Sequence, residues 1–278
     1  MSVGVLIKDK NQLKRIKWME GKHILITGAS DGIGKELCKQ LIGKCNKISM
    51  IARNIQKLNK LQSDLNAGQR HNIKKTKIEY YAVDINNVKE IQRIISKIYD
   101  IDKEPIHALI NCAGGCPIYN KFENWSHEEI SQVYRTNGEA PIHLLRELLP
   151  RMKCQDKLYG KHKRGHIILI SSRSSERVLP KLIVYGAAKG SIDKLTEGLR
   201  REYANYNIAF TTIHPGSILT DFPKYWKVKD KENHNKESME LQEAIYPILY
   251  ALNSKFVINK ISYESIEQWE SEMGILKE

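Results

Sequence analysis

The chain has 278 residues and a 41% hydrophobic content, a globular composition that excludes a fibrous or wholly disordered protein and has room for one large α/β domain. No apolar run approaches the roughly 20 residues that span a bilayer, and the basic N-terminus lacks the apolar stretch of a secretory signal. The net charge of +13 raises nucleic acid as a partner. Its basic clusters, at 8–17, at Lys74, Lys75 and Lys77, and at Lys157–Arg164, are however scattered and match no recognition motif, so a solvated lysine-rich surface is expected instead.

In chain order, Lys8, Lys10, Lys14, Arg15 and Lys17 would suit a mitochondrial presequence, but Asp9 and the scarcity of arginine favour a cytoplasmic protein. KHILIT (22–27) reads as a buried strand, and IGKELCKQLIGK after it as a helix with Ile33, Leu37, Leu41 and Ile42 along one face. KISMI (47–51) and IEYYAV (78–83) are the next strands, followed by the helical stretches IQKLNKLQSDL and VKEIQRIISKIY. IHALIN (106–111) and HIILIS (166–171) are two more strands, separated by a helical stretch over about 126–149. IVYGAAKGSIDKLTEGLRREYA is a long helix, IAFTTI (208–213) a sixth strand, and FVINKIS the region of a seventh. Continuous apolar strands alternating with helices predict an α/β fold, a doubly wound and mostly parallel sheet with helices on both faces. Without repeat or linker, residues 1–278 read as a single domain with its core at about 20–260.

Cys38, Cys45, Cys112, Cys116 and Cys154 form no CxxC pair and have no zinc-ligand spacing, so they read as reduced structural thiols and no metal is expected. The segment TGASDGIG (27–34) places Gly28, Gly32 and Gly34 directly after the first strand. Clustered glycines mark backbone that needs φ > 0 or a close approach. In a doubly wound sheet this turn and the helix N-terminus after it face a ligand, usually a pyrophosphate.

Six motifs in order make the signal specific: TGASDGIG at 27–34, Asn111-Cys112-Ala113-Gly114, Asn137 in RTNGEA, Ser172 in ILISS, Tyr185-Gly-Ala-Ala-Lys189, and Pro215, Gly216 and Thr220 in HPGSILT. Over residues 20–260 the chain resembles the short-chain dehydrogenase/reductase family, which has an NAD(P)-binding Rossmann fold. The resemblance implies a catalytic set of Asn137, Ser172, Tyr185 and Lys189. It implies that a nicotinamide cofactor lies against Gly28, Ser30, Asp31, Gly32, Ile33, Gly34, Arg53, Asp84, Asn111, Ala113, Gly114, Tyr185, Lys189, Pro215, Gly216 and Thr220. One asparagine of the family's usual pair is replaced by Cys112, which is expected to pack as a small buried residue.

The spacing suits the chemistry. Tyr185 and Lys189 are one helical turn apart, about 5.4 Å along the axis, and share a face. A tyrosine hydroxyl has a pKa near ~10, and a nearby lysine cation and the positive nicotinamide of an oxidised cofactor are expected to lower it. Tyr185 then exchanges the proton of a carbonyl or alcohol oxygen, and Ser172 hydrogen-bonds that oxygen. The resemblance further implies that Lys189 holds the ribose and that Asn137 positions a water beside Lys189.

Ala52 and Arg53 stand at the end of the second strand, where an acid would repel a 2′-phosphate, so NADP(H) is the expected cofactor, with NAD(H) as the other candidate. Ser217 to about Glu240 reads as the segment covering a small carbonyl or alcohol substrate, with Phe222, Tyr225 and Trp226 in it. An NADP-dependent oxidoreductase is therefore expected; the alternative is a non-catalytic NADP(H)-binding regulator or scaffold on the same fold. Ile183, Val184, Ala187, Ala188, Ile192, Leu195 and Leu199 exceed the single apolar stripe a sheet-packed helix needs, which predicts a homodimer or homotetramer.

Overall fold

The computed structural model describes residues 19–70, 74–155, 164–177, 179–223, 226, 228–254 and 256–268. The basic stretches at 8–17 and 157–163, and Tyr225, lie outside them. Seven strands, His23–Thr27 (β1), Lys47–Ala52 (β2), Lys77–Ala82 (β3), Ala108–Asn111 (β4), Gly165–Ile170 (β5), Ile208–Pro215 (β6) and Lys260–Tyr263 (β7), form one sheet in the order β3-β2-β1-β4-β5-β6-β7. Every neighbouring pair is parallel. Parallel neighbours require crossovers, and the main helices supply them: Gly32–Leu41 (α1), Ile55–Gly68 (α2), Val88–Ser96 (α3), His127–Tyr134 (α4), Ala140–Met152 (α5) and Ile183–Glu202 (α6). Three more follow, Val228–Lys236 (α7), Leu241–Ala244 (α8) and Tyr246–Asn253 (α9).

Strand alternation explains how fully apolar strands build two cores. Ile24, Ile26, Ile48, Met50, Ile110 and Ile168 pack with Leu37 and Leu41 of α1, Leu58 and Leu61 of α2, and Ile248 and Leu252 of α9. Their strand neighbours Leu25, Ile51, Leu109, Ile167 and Leu169 point the other way, onto Ile91 and Ile95 of α3, Leu144 and Leu148 of α5, and Ile192 of α6. The doubly wound sheet expected from the sequence is therefore present. Its strand order reverses between β1 and β4, which opens a crevice beyond their C-terminal ends.

Two elements depart from the sequence expectation. The helical stretch at 126–149 is interrupted by a π-turn at Arg135–Glu139. Pro141 explains the position, since it has no N–H to donate to the Asn137 carbonyl four residues earlier, and one rung of the α-ladder is lost there. The seventh strand is shorter and later than FVINKIS suggested, at Lys260–Tyr263. The lysine-rich surface also has exceptions, because Lys22, Lys47 and Lys189 are buried. Lys47 is held by Glu79 and Glu104.

Below the sheet, the His23 N–H donates to Nδ1 of buried His107 at 3.0 Å, and His23 Nε2 lies 2.8 Å from Ser49 Oγ. Burial lowers the pKa of both rings to about 4, and a protonated His107 Nδ1 could no longer accept. A depressed histidine pKa means the unfolded chain binds protons first. The stability concerned is thus whole above an unfolded value near ~6.5 and is lost as pH falls toward about 4. Each ring accounts for up to about 3 kcal/mol. Urea midpoints should therefore drop steeply between pH 7 and 4.5, and His107→Asn, which keeps an acceptor at the Nδ1 position but cannot titrate, should flatten the fall. Equal slopes in the two proteins would exclude His107 as a source of the acid sensitivity.

Candidate active site

The three glycines of the first turn serve different ends. Gly28 has φ +65°, and a Cβ there would come within 2.8 Å of the Ala113 nitrogen, so its absence lets the turn after β1 lie against the turn after β4. A Cβ on Gly34 would strike the Gly28 carbonyl oxygen, which closes the turn on itself. Gly32 has φ +45° and, with Thr220 3.6 Å from its hypothetical Cβ as the nearest atom, faces open space at the start of α1. That cradle, left clear at a helix N-terminus, fits a dinucleotide phosphate. Asp31 caps α1 by accepting from the Gly32 N–H at 3.1 Å and is paired with Lys57 of α2. Burial pushes its pKa up, but the Lys57 hydrogen bond and charge outweigh this and hold it below the usual carboxylate value.

The turn after β4 is tied down from both sides. Thr27 Oγ1 donates to Asn111 Oδ1 at 2.8 Å and accepts from the Ala113 N–H at 3.1 Å. Asn137, fully buried in the π-turn, accepts from the Gly115 N–H at 3.0 Å and donates to the Gly115 and Val133 carbonyls at 2.9 Å each. A Cβ on Gly114 would lie 2.7 Å from Asn137 Oδ1 and 3.0 Å from Lys189 Nζ. Glycine at that position is what brings the two side chains to the turn.

Tyr185 and Lys189 are both buried on α6, with Lys189 Nζ 5.7 Å from the centre of the tyrosine ring and donating to the Ile170 carbonyl at 2.9 Å. Ser172 follows β5 and caps a short turn, its Oγ accepting from Ser174 N–H at 3.1 Å and Ser174 Oγ–H at 2.9 Å. Both acceptor positions are then filled and one proton remains to donate. The Ser172 side chain pulls the pKa of Tyr185 down, against larger upward pushes from burial and from Cys116. Without the positive nicotinamide that the expected lowering also invoked, the net shift of Tyr185 is upward. Burial dominates here, and the Lys189 ammonium is turned to the Ile170 carbonyl. The same burial lowers Lys189 to about 8, opposed by Cys112 and Asp193. Ser171, the neighbour of Ser172, is occupied elsewhere, donating to the Lys189 carbonyl at 3.4 Å.

These residues line one cleft of about 830 Å³. Gly28, Ser30, Asp31, Gly32, Ile33, Gly34, Arg53, Asp84, Ala113, Gly114, Ser172, Tyr185, Lys189, Pro215, Gly216 and Thr220 all face it. Asn111 and Asn137 do not; they stand behind it as braces of its wall. Cys112 is only half-buried and faces the cleft. Sequence reasoning passed over Lys57, although a cation four residues after Arg53 on the next helix was a usable signal. It also passed over His214, which has no local signature. Its Nδ1 lies 3.3 Å from the Ser172 carbonyl and 3.2 Å from Ser175 Oγ, and its Nε2 lies 3.4 Å from Asp193 Oδ1.

A parallel sheet with a glycine turn at its switch point, and a serine, tyrosine and lysine gathered above β4 and β5, defines a dinucleotide-type α/β enzyme site. The chain belongs to the short-chain dehydrogenase family of oxidoreductases, whose family model matches residues 22–231. It is 29% identical to an uncharacterised oxidoreductase of Staphylococcus saprophyticus over 90% of this chain and 95% of that one. It is 28% identical to the L-xylulose reductase of Caenorhabditis elegans, over 84% and 88% of the two chains. Among solved structures it resembles an alcohol dehydrogenase from the archaeon Thermococcus sibiricus complexed with 5-hydroxy-NADP, with a TM-score of 0.74 and 21% identity over 90% of this chain and 98% of that one.

Asn137→Ala would leave the Gly115 N–H and the carbonyls it serves without partners, at about 1–3 kcal/mol for each buried group left unpaired. A fall in the urea midpoint together with loss of activity is the expected result. An unchanged midpoint would show that Asn137 does not brace the turn.

Proposed function

We propose that the protein is an NADP(H)-dependent oxidoreductase that interconverts a ketone or aldehyde and the corresponding alcohol, with Tyr185 as general acid/base. The observation that carries this is that Ser172, a buried Tyr185 and a buried Lys189 face one cleft, with Lys189 Nζ one helical turn away at 5.7 Å from the tyrosine ring. The nicotinamide, when bound, supplies or accepts the hydride. Tyr185 donates its proton to the substrate oxygen, or takes it back in the oxidative direction, while Ser172 hydrogen-bonds that oxygen and steadies its developing charge. Lys189 holds the ribose, and Asn137 keeps the neighbouring turn in place. The non-catalytic alternative gives no account of a tyrosine buried beside Ser172 and Lys189 in the cleft, which a cofactor-binding scaffold would not need.

Preference for the 2′-phosphate is supported by Arg53 and Lys57 at the far end of the cleft and by Ala52 where an acid would stand. Asp31 is the one nearby carboxylate in the turn, and its pairing with Lys57 offsets its repulsion. Solved neighbours include complexes with 5-hydroxy-NADP and with NAD, which support a nicotinamide dinucleotide without choosing between the two. We read the chain as one domain with its cover at about 217–240, and as a cytoplasmic enzyme. No described helix is long and apolar enough to cross a membrane.

Tyr185→Phe should abolish turnover and leave cofactor affinity nearly intact, whereas Lys189→Ala should impair both. Arg53→Ala should narrow the gap between NADPH and NADH affinities by about tenfold or more, given about 1.5–3 kcal/mol for a charge-assisted hydrogen bond. Retained activity in Tyr185→Phe would refute the proton-transfer role, and equal wild-type affinities would refute the cofactor assignment. We further propose a homo-oligomer, at least a dimer, joined through α5 and α6, where Ile142, Ile183 and Ala187 are exposed. Light scattering at physiological salt should give a mass above one 32.1 kDa chain, and a monomer at micromolar concentration would overturn this.

A further inference from the structure

The half of the cleft above Tyr185 is walled by apolar groups and roofed by aromatic rings. Cys116, Leu179, Leu182, Ile218, Phe222 and Trp226 line it. Phe222 stands edge-on to Tyr185 with ring centres 5.6 Å apart, and Trp226 stands edge-on to Phe222 at 5.6 Å. His234 of α7 packs against both, stacked on Phe222 at 6.3 Å and edge-on to Trp226 at 5.3 Å.

The roof is fastened at several points. The Trp226 Nε1–H donates to the Cys116 carbonyl at 3.1 Å, and its ring stacks on Tyr119 with centres 4.4 Å apart. Lys181, in the loop ahead of α6, places its Nζ 4.7 Å from the centre of the Tyr119 ring and donates to Asp230 of α7 at 3.0 Å. The aromatic surface is thereby fixed next to the Tyr185 hydroxyl.

Among the described residues, the charges lining this end are engaged with one another. Arg173 is engaged by Glu176 and Glu264, and Lys181 by Asp230. Burial lowers the pKa of His234, so its ring is neutral near pH 7 and adds no cation. Several hydrogen-bonding groups are committed as well, although the buried His234 Nε2 has no partner. Ser174 Oγ donates to Ser172, and Gln268 Oε1 accepts from the Ser217 N–H at 2.8 Å. Among the described residues an anionic substrate would meet no cation to pair with there, and a polyol would find His234 Nε2 for one hydroxyl and bury the others against carbon. A flat ring loses nothing on entry and can add to the edge-and-face contacts of Phe222 and Trp226.

We propose that this site takes neutral carbonyl compounds whose carbonyl is attached to an aromatic ring, and the matching benzylic alcohols, and that it discriminates against keto acids and sugars. The inference rests on the oxidoreductase reading for its chemistry but concerns recognition, so binding and turnover test it separately.

A matched set of probes isolates each feature. Acetophenone carries the ring, phenylglyoxylate adds a carboxylate to it, 2-butanone removes the ring, and a ketopentose replaces it with hydroxyls. With NADPH, kcat/KM for acetophenone should exceed that for phenylglyoxylate and for the ketopentose by about 100-fold, the consequence of desolvating unpaired polar groups. It should also exceed that for 2-butanone. Trp226→Leu should collapse the acetophenone to 2-butanone ratio by about tenfold or more through loss of ring contacts, and Phe222→Leu serves the same purpose if the first variant does not fold. Calorimetric titration of the cofactor-loaded protein with acetophenone and phenylglyoxylate requires no turnover and should rank them in the same order. Acetophenone binding with no carbonyl reduced would uphold the recognition and remove the catalytic reading. Equal or better use of phenylglyoxylate or the ketopentose, an unchanged ratio in both roof variants, or no acetophenone binding would overturn the inference.

Discussion

The turns after β1 and β4 lie closer together than side chains would permit, and every other contact of the cleft is built outward from that approach. Gly28 leaves out the Cβ that would meet the Ala113 backbone, and the Thr27 hydroxyl fills the space between them by bonding to both Asn111 and Ala113. With the second turn so fixed, the bare α-carbon of Gly114 admits Asn137 from the π-turn and Lys189 from α6. A methyl group at either glycine would force apart two backbone segments or displace a buried amide and a buried cation together. The cost at Gly28 includes its left-handed backbone conformation, which L side chains adopt poorly.

Burial acts on the two central titratable groups in opposite senses, since a low-dielectric environment disfavours whichever form is charged. It raises the tyrosine and lowers the lysine to about 8. At about 8, Lys189 keeps most of its positive charge near neutrality, and the Asp193 carboxylate opposes the effect of burial. Asp193 is one turn further along α6, and it also faces His214, whose other ring nitrogen approaches the Ser172 carbonyl. The serine turn and the lysine therefore share a support in β6 that lies outside the cleft itself. The position of Ser172 depends on residues far from it in sequence.

The sheet was legible because its strands are unbroken apolar runs and each is followed by a helix with a clear face. The glycine turn, Ser172, Tyr185 and Lys189 were legible because a resemblance fixed their order and spacing. Three things were not. The π-turn around Asn137 depends on what Pro141 withholds from the residue four places earlier, and no periodicity displays a missing hydrogen bond. The bracing roles of Asn111 and Asn137, as against a place on the cleft surface, depend on which way each side chain turns once the strands are packed. The upward shift of Tyr185 depends on how completely the pocket buries it, and a sequence carries spacing but not desolvation. His214 combines all of these difficulties, since its partners come from α6, the Ser172 turn and Glu176.

The distribution of charge along the cleft gives its two ends different kinds of selectivity. At the glycine-turn end, Arg53 and Lys57 are exposed on a rim open to solvent. There a phosphate can be recognised by attraction at little desolvation cost. At the other end the described charges are paired among themselves and much of the surface is carbon and aromatic ring, so recognition works by the penalty on wrong groups. The reacting groups lie between, where burial makes each hydrogen bond to a developing oxyanion stronger than it would be in water. An attractive rim at the tyrosine end would draw in anions, but it would also hold water beside Tyr185 and weaken the Ser172 hydrogen bond. The apolar roof and the shifted tyrosine are thus consequences of the same exclusion of water.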